Sequence, residues 1–166
     1  GDAYVCGYSI RTHLMEIFKR MGYCPQFGGL YMRGLPLQQQ LAAYGRLKGI
    51  RPKDLPAHVA GVLADFGLED HKDKWAKSLS GGTRRKPTTA ISLACDPRES
   101  FLDEPTNGVD VGTRRFIWDR IKEAAHERVI VLTTHYMDEA DALAQRIGIM
   151  AAGRLRVLGS PQHLKS

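Results

Sequence analysis

The segment ESFLDEPTNGVD, residues 99 to 110, sets Asp103 and Glu104 side by side behind the apolar pair Phe101 and Leu102, then breaks into Pro, Asn and Gly. Adjacent carboxylates at the end of a buried strand are costly to keep unless they hold a cation or work on a proton. Asp103 suits a carboxylate that holds Mg2+ through water, and Glu104 suits the polarising of an attacking water. A DEP turn that merely caps a helix uses the same residues. His135 closes RVIVLTTH, where an imidazole beside a water-activating Glu suits contact with a terminal phosphate, although a strand-end His often only packs. Gln26, after MGYC, can complete or sense a magnesium shell. LSGGT, residues 79 to 83, puts Ser80, Gly81 and Gly82 ahead of a helical run, where unencumbered N–H groups and the helix dipole point the same way at an anion. On its own, SGG also makes any turn.

The scaffold that would hold these side chains alternates. Residues 3 to 10 read as a strand, 12 to 19 as a short helix, and MGYC as a strand ending at Pro25 and Gln26. From Gly28 to Leu68 the period becomes helical: Leu37, Leu41, Tyr44 and Lys48 share one face, and PAHVAGVLADF carries start and stop signals in Pro56 and Gly67. After Ser80 come a helix, a strand (99 to 102), a helix (113 to 126, with Phe116, Ile117 and Ile121 inward) and the strand RVIVLTT. A helix (137 to 145), the strand RIGIM, a late edge strand RLRVLG and the short terminal helix PQHLKS complete the order. Strands alternating with helices of this length predict an α/β fold, a parallel sheet with flanking helices. Ligands of such a sheet bind beyond the carboxyl ends of its strands, where Asp103, Glu104 and His135 fall.

With 43% hydrophobic and 25% charged residues, the 166-residue chain has the composition of a soluble globular domain rather than a disordered or fibrous one. No run of about 18 apolar residues spans a bilayer, and no charged-then-apolar leader marks secretion, so a cytosolic location is expected. Cys6, Cys24 and Cys95 lie far apart without metal-ligand spacing and read as small buried hydrophobes. The net charge of +6 comes from scattered Lys and Arg without interleaved aromatics, a solvated basic face rather than a nucleic-acid surface.

In order along the chain, YCPQ, LSGG, FLDEP, NGVD and TTH resemble the motifs of the nucleotide-binding domain of ATP-binding cassette (ABC) transporters. MGYCPQF, YGRLKGI, LSGGTRRK, MDEADALAQRIGIM and GRLRVLGSP are most similar to the A subfamily, whose full-length members move lipids, and the resemblance covers essentially the whole chain. It implies a P-loop NTPase type of fold with ATP and Mg2+ as cofactors. Gln26 then matches the Q-loop and contributes to the magnesium shell, and Leu79, Ser80, Gly81 and Gly82 match the signature. Asp103 matches the Walker B magnesium carboxylate, Glu104 the catalytic glutamate, Asp110 the D-loop and His135 the switch histidine. The implied partners are a second nucleotide-binding domain, head to tail across ATP, and transmembrane domains met through the surface around Gln26. No nucleic acid is implied, and the implied place is the cytoplasmic face of a membrane.

No G-x-x-x-x-G-K-[ST] phosphate loop occurs in the 166 residues. In the resembled family that loop precedes the strand with which this chain opens, and Gly1 is not an initiator Met. The expectation is therefore a truncated domain: a remnant of an antiparallel sheet, a helical subdomain over 28 to 94, and the catalytic core and C-terminal part over 95 to 166. Such a chain alone is expected neither to bind ATP appreciably nor to hydrolyse it. A non-catalytic module that only completes a partner's site through its signature is the alternative. Two departures stand out. Pro87 lies inside the signature helix and is expected to kink it, and Glu99 and Ser100 occupy apolar strand positions, which predicts a short, frayed or exposed strand. The DEAD string at 138 to 141 opens a helix instead of ending a strand, against a helicase. The short insert without sustained heptads argues against a chromosome-maintenance ATPase.

Overall fold

The computed structural model describes residues 1–27, 32, 34–75, 78 and 81–165, and the side chains of 81–84 are outside the description. Two compact units divide the chain, Gly1–Thr133 and Thr134–Ser166.

The first unit opens with β1 (Tyr4–Val5) and β2 (Tyr8–Ser9), an antiparallel pair joined by Cys6 at φ 49° and Gly7 at φ 80°. Two successive left-handed residues make the tight turn that matches strand twist, so the stretch predicted as a single strand is a two-residue hairpin. α1 (Leu14–Arg20) leads into β3 (Met21–Cys24). Between β3 and the next strand lie α2 (Leu37–Leu47), α3 (Leu55–Asp65), a single 3-10 turn (Glu69–His71) and α4 (Gly81–Leu93). β4 (Glu99–Asp103), α5 (Val111–Ala125) and β5 (Val129–Thr133) follow. β3, β4 and β5 form a parallel sheet in that order.

Of the predicted helical faces, Leu37, Leu41, Ile117 and Ile121 are buried, while Tyr44, Lys48 and Phe116 are half-buried. α2 and α3 pack together, with Leu37 and Leu41 of α2 and Leu55, Val59, Val62 and Leu63 of α3 buried, while Ile117 and Ile121 carry α5 inward. α4 packs on β3 and β4 and touches α5. It continues through Pro87, which is buried.

β4 departs from the sequence expectation. It is neither short nor frayed: it pairs with β3 from Glu99 to Leu102 and with β5 over its whole length, and Ser100 is 0% exposed. The reason is the approach of α4. Ser100 stands in register with Gly22, and a Cβ at Gly22 would lie 1.9 Å from the carbonyl oxygen of Ser92 and 2.7 Å from Ser100 Oγ. A small residue at 100 and none at 22 let helix and sheet meet this closely. Glu99 is occupied differently: its Oε1 accepts the Cys6 N–H at 2.8 Å, so the strand's first side chain holds the hairpin turn. The outer edge of β5 has no ladder partner among the described residues, and Val129 and Val131 are exposed, unusual for a parallel strand.

Within the second unit, α6 (Met137–Leu143) precedes β6 (Ile147–Ala151) and β7 (Arg154–Gly159), which pair antiparallel across a turn at Ala152 and Gly153. α7 (Pro161–Lys165) ends the unit, with Lys165 ion-paired to Asp141 at 2.7 Å. Asp138 and Glu139 lie in the first turn of α6, where acids suit the helix dipole.

Candidate functional site

Asp103 is the last residue of β4, in register with Thr133, the last of β5. The Thr133 hydroxyl donates to Asp103 Oδ1 at 2.5 Å, which fixes the half-buried carboxylate at the carboxyl end of the sheet. Glu104 then turns the chain sharply, with φ at 45°. A non-glycine residue stays in that region only when its surroundings over-determine it. Its N–H donates to Thr133 O at 3.1 Å and approaches Thr133 Oγ1 at 3.3 Å. Its side-chain Oε2 accepts from Asn107 Nδ2 at 2.8 Å, and its carbonyl accepts from Arg85 at 2.6 Å. Pro105 and Thr106 are buried beneath it.

Gln26 follows β3, the strand beside β4, one residue after Pro25, whose carbonyl accepts from the same Arg85 at 2.9 Å. The structure therefore gathers Asp103, Glu104 and the backbone leading to Gln26 at one end of one sheet. Asp110 is the N-cap of α5: its Oδ1 accepts the Thr113 N–H at 3.0 Å, and hydrogen bonds from Thr113 hold its carboxyl below the usual range. Gly81 and Gly82 begin α4, while Leu79 and Ser80 lie outside the described residues. His135, in the second unit, is exposed and stacks on Tyr136 with ring centroids 4.1 Å apart. The Tyr136 N–H donates to Thr134 Oγ1 at 3.0 Å, turning the chain into α6.

Arg85, Asn107 and Thr133 touch the site and were not singled out by sequence reasoning. Asn107 and Thr133 stand in NGVD and TTH, beside residues that were, so their polar side chains next to the carboxylates were the available signal. Arg85 had none, because its two acceptors are backbone carbonyls.

A cavity of about 280 Å³ is lined by His58, Val62, Asp65, Phe66, Leu93 and Cys95. There Cys95 Sγ is 3.5 Å from His58 Nε2, and burial both raises the thiol's pKa and lowers the imidazole's. A thiol kept protonated is a poor nucleophile. Burial likewise pushes the Cys24 thiol up to about 11. In the folded chain Cys24 is expected to stay unmodified by iodoacetamide at mildly alkaline pH and to react on unfolding, as peptide mass spectrometry would read. Early alkylation of Cys24 would mean that α4 does not cover β3.

No protein-family model matches the chain. Curated proteins do. The rat (Rattus norvegicus) phospholipid-transporting ATPase ABCA3 is 44% identical over 169 aligned residues, covering all of this chain and 10% of that protein. The Arabidopsis thaliana ABC transporter A family member 11 is 45% identical over 168 residues, again covering all of this chain and 18% of that protein. The chain thus spans between about a tenth and a fifth of these relatives. Among solved structures, a dimeric post-hydrolysis ATP-binding cassette bound to ADP and Pi aligns with a TM-score of 0.86 over 96% of this chain and 73% of that one, at 18% identity. The structural likeness carries the fold, and the alignment along the whole chain at 44–45% identity carries the sequence kinship. Along its whole length the chain is thus similar to A-subfamily ABC transporters, and its fold is that of an ATP-binding cassette.

Proposed function

We propose that this chain forms part of an ATP-hydrolysing domain that drives a membrane transporter, with lipid as the transported class. The observation that supports it most is the immobilised Asp103–Glu104 pair. The Asp103 carboxylate is held by Thr133, and the Glu104 backbone is kept at positive φ with its Oε2 on Asn107. Such preorganisation at a strand end suits work on water better than it suits a turn.

The donor set fits Mg2+. Among the described residues no three His, Cys, Asp or Glu side chains gather into a cage. One carboxylate at the end of β4 with one carboxamide just past the end of β3 is the sparse protein contribution a magnesium ion uses when waters and phosphates complete its shell. Bound with ATP, Mg2+ would neutralise charge on the phosphates. Asp103 and Gln26 would hold that ion. Glu104 would orient and polarise the attacking water, accepting its proton at the carboxylate, and His135 would donate a hydrogen bond to the terminal phosphate.

Leu79, Ser80, Gly81 and Gly82 would serve ATP bound by a second nucleotide-binding domain, head to tail, with Asp110 at that junction. Transmembrane domains would dock at the helical subdomain over 28 to 94 and around Gln26, with 95 to 166 as core, on the cytoplasmic face of the membrane. Phe27, directly after Gln26, is 75% exposed, a large apolar side chain in need of cover at the place where a partner is expected. No described helix is long and apolar enough to cross a membrane.

The test is ATP turnover by the full-length protein that carries this segment, with and without Glu104→Gln. A companion expectation concerns Thr133→Val, which keeps the strand's shape and removes the hydroxyl that fixes Asp103. The Mg2+ concentration for half-maximal turnover should rise about tenfold, the usual effect of losing a group that orients a metal ligand. An unchanged Mg2+ titration would detach Asp103 from the metal.

The second reading is a non-catalytic module that only completes a partner's ATP site through its signature. In that case Ser80→Arg would impair the partner domain's turnover and Glu104→Gln would not.

A further inference from the structure

Arg85 lies in the second turn of α4, the helix that opens with Gly81 and Gly82, and its guanidinium reaches two strand ends at once. Nη1 donates to the carbonyl of Pro25 at 2.9 Å, and Nη2 donates to the carbonyl of Glu104 at 2.6 Å. The first acceptor immediately precedes Gln26. The second belongs to the residue that would polarise water. Their strands are adjacent and parallel, with Cys24 in register with Leu102, so the two carbonyls emerge at the same end of the sheet.

A planar guanidinium carries its donors in a fixed fork, so two acceptors held by one group are held at a set separation. An ammonium offers a compact point of charge and no such spacing. Glu104 needs the restraint: at φ 45° it is secured by Thr133 at its N–H, by Asn107 at its carboxylate and by Arg85 at its carbonyl. Only the last of these comes from a helix outside the sheet and its own turn.

We infer that Arg85 is a positioning residue that ties α4 to both Gln26 and Glu104, so that a displacement of the signature helix is passed to both ends of the hydrolytic site together. The inference rests on the proposed ATPase reading and adds the group that sets the spacing within that site. Arg85 acts through the backbone carbonyls of Pro25 and Glu104.

The experiment compares wild type, Arg85→Met and Arg85→Lys in the full-length protein that carries this segment. Steady-state turnover is measured against ATP and Mg2+, and hydrogen–deuterium exchange is followed at the amides of Gln26, Glu104 and Asn107. The Met variant should lower kcat on the order of a hundredfold, the scale of a misplaced reacting group, with KM for ATP within about twofold. Exchange at the three amides should quicken while the interiors of α3 and α5 stay protected. Lys, able to serve one carbonyl but not two, should fall between.

Unchanged kcat per folded molecule, or a uniform loss of protection through α3 and α5, would overturn the inference, since either means that Arg85 only stabilises the fold. If wild type itself hydrolyses no ATP, the ATPase reading fails and the exchange measurement decides alone. Faster exchange confined to Gln26, Glu104 and Asn107 would sustain the tie, and unaltered exchange there would refute it.

Discussion

Glu104→Gln, made in the full-length protein, is expected to lower ATP turnover by about two to three orders of magnitude while changing nucleotide affinity no more than a few-fold. The substitution is nearly isosteric and leaves the turn intact. Asn107 Nδ2 can donate to an amide oxygen as it does to Oε2, and the backbone bonds from Glu104 to Thr133 and from Arg85 to Glu104 do not involve the side chain. What disappears is the basic oxygen that accepts a proton from water. A positioned general base contributes about a hundredfold to ten-thousandfold, so the loss isolates that role. Phosphate release gives the rate, and calorimetric titration with Mg-ATP gives the affinity. A variant as fast as wild type would remove Glu104 from the chemistry and move the weight to the signature, where Ser80→Arg would then be the damaging change.

The second large effect is structural. Gly22→Ala should destabilise the folded chain by about 3 kcal/mol or more, at the upper end of what overpacking a core costs. The new methyl would stand 1.9 Å from a backbone oxygen, Ser92 O, with Ser100 Oγ at 2.7 Å and Pro97 Cγ at 3.1 Å. A flexible side chain can swing away, but the Ser92 carbonyl belongs to the last turn of α4 and can move only with the helix. Gly61→Ala is the control. Gly61 is an exposed position inside α3 where a new methyl would meet nothing within 4 Å, and alanine there should stabilise by about 0.5–1 kcal/mol through helix propensity. Denaturant midpoints for the two variants should shift in opposite directions. If Gly22→Ala matched wild type, helix and sheet would not be in the contact described.

The separation between the two kinds of glycine shows where sequence reasoning stops. Gly22 sits in MGYC, a stretch whose strand character is plain from composition, yet nothing local says that a helix carbonyl passes over it. Glu99 and Ser100 make the same point. By the rule that a buried parallel strand is apolar they predict fraying, and by their actual neighbours they are accommodated. Ser100 is small where α4 comes closest, and Glu99 reaches the hairpin turn 93 residues away in sequence. Asp110 adds a local contact that the D-loop resemblance does not state: its carboxylate caps α5.

The sequence by itself determined the alternation of strands and helices, the apolar anchors of α2 and α5, the placing of Asp103 and Glu104 at a strand end, and the family resemblance. These depend on period and on short-range order, which the chain displays directly. Only the tertiary structure decided which groups hold Glu104 at positive φ, why residue 22 must lack a side chain, and that Arg85 joins the ends of β3 and β4. Asn107 apart, those contacts link residues distant in sequence, 60 positions between Arg85 and Pro25 and 19 between Arg85 and Glu104, and most of their acceptors are main-chain carbonyls. Every residue carries such a carbonyl, so side-chain pattern cannot reveal which one a distant guanidinium will find. The packing of α4 on the sheet makes that choice.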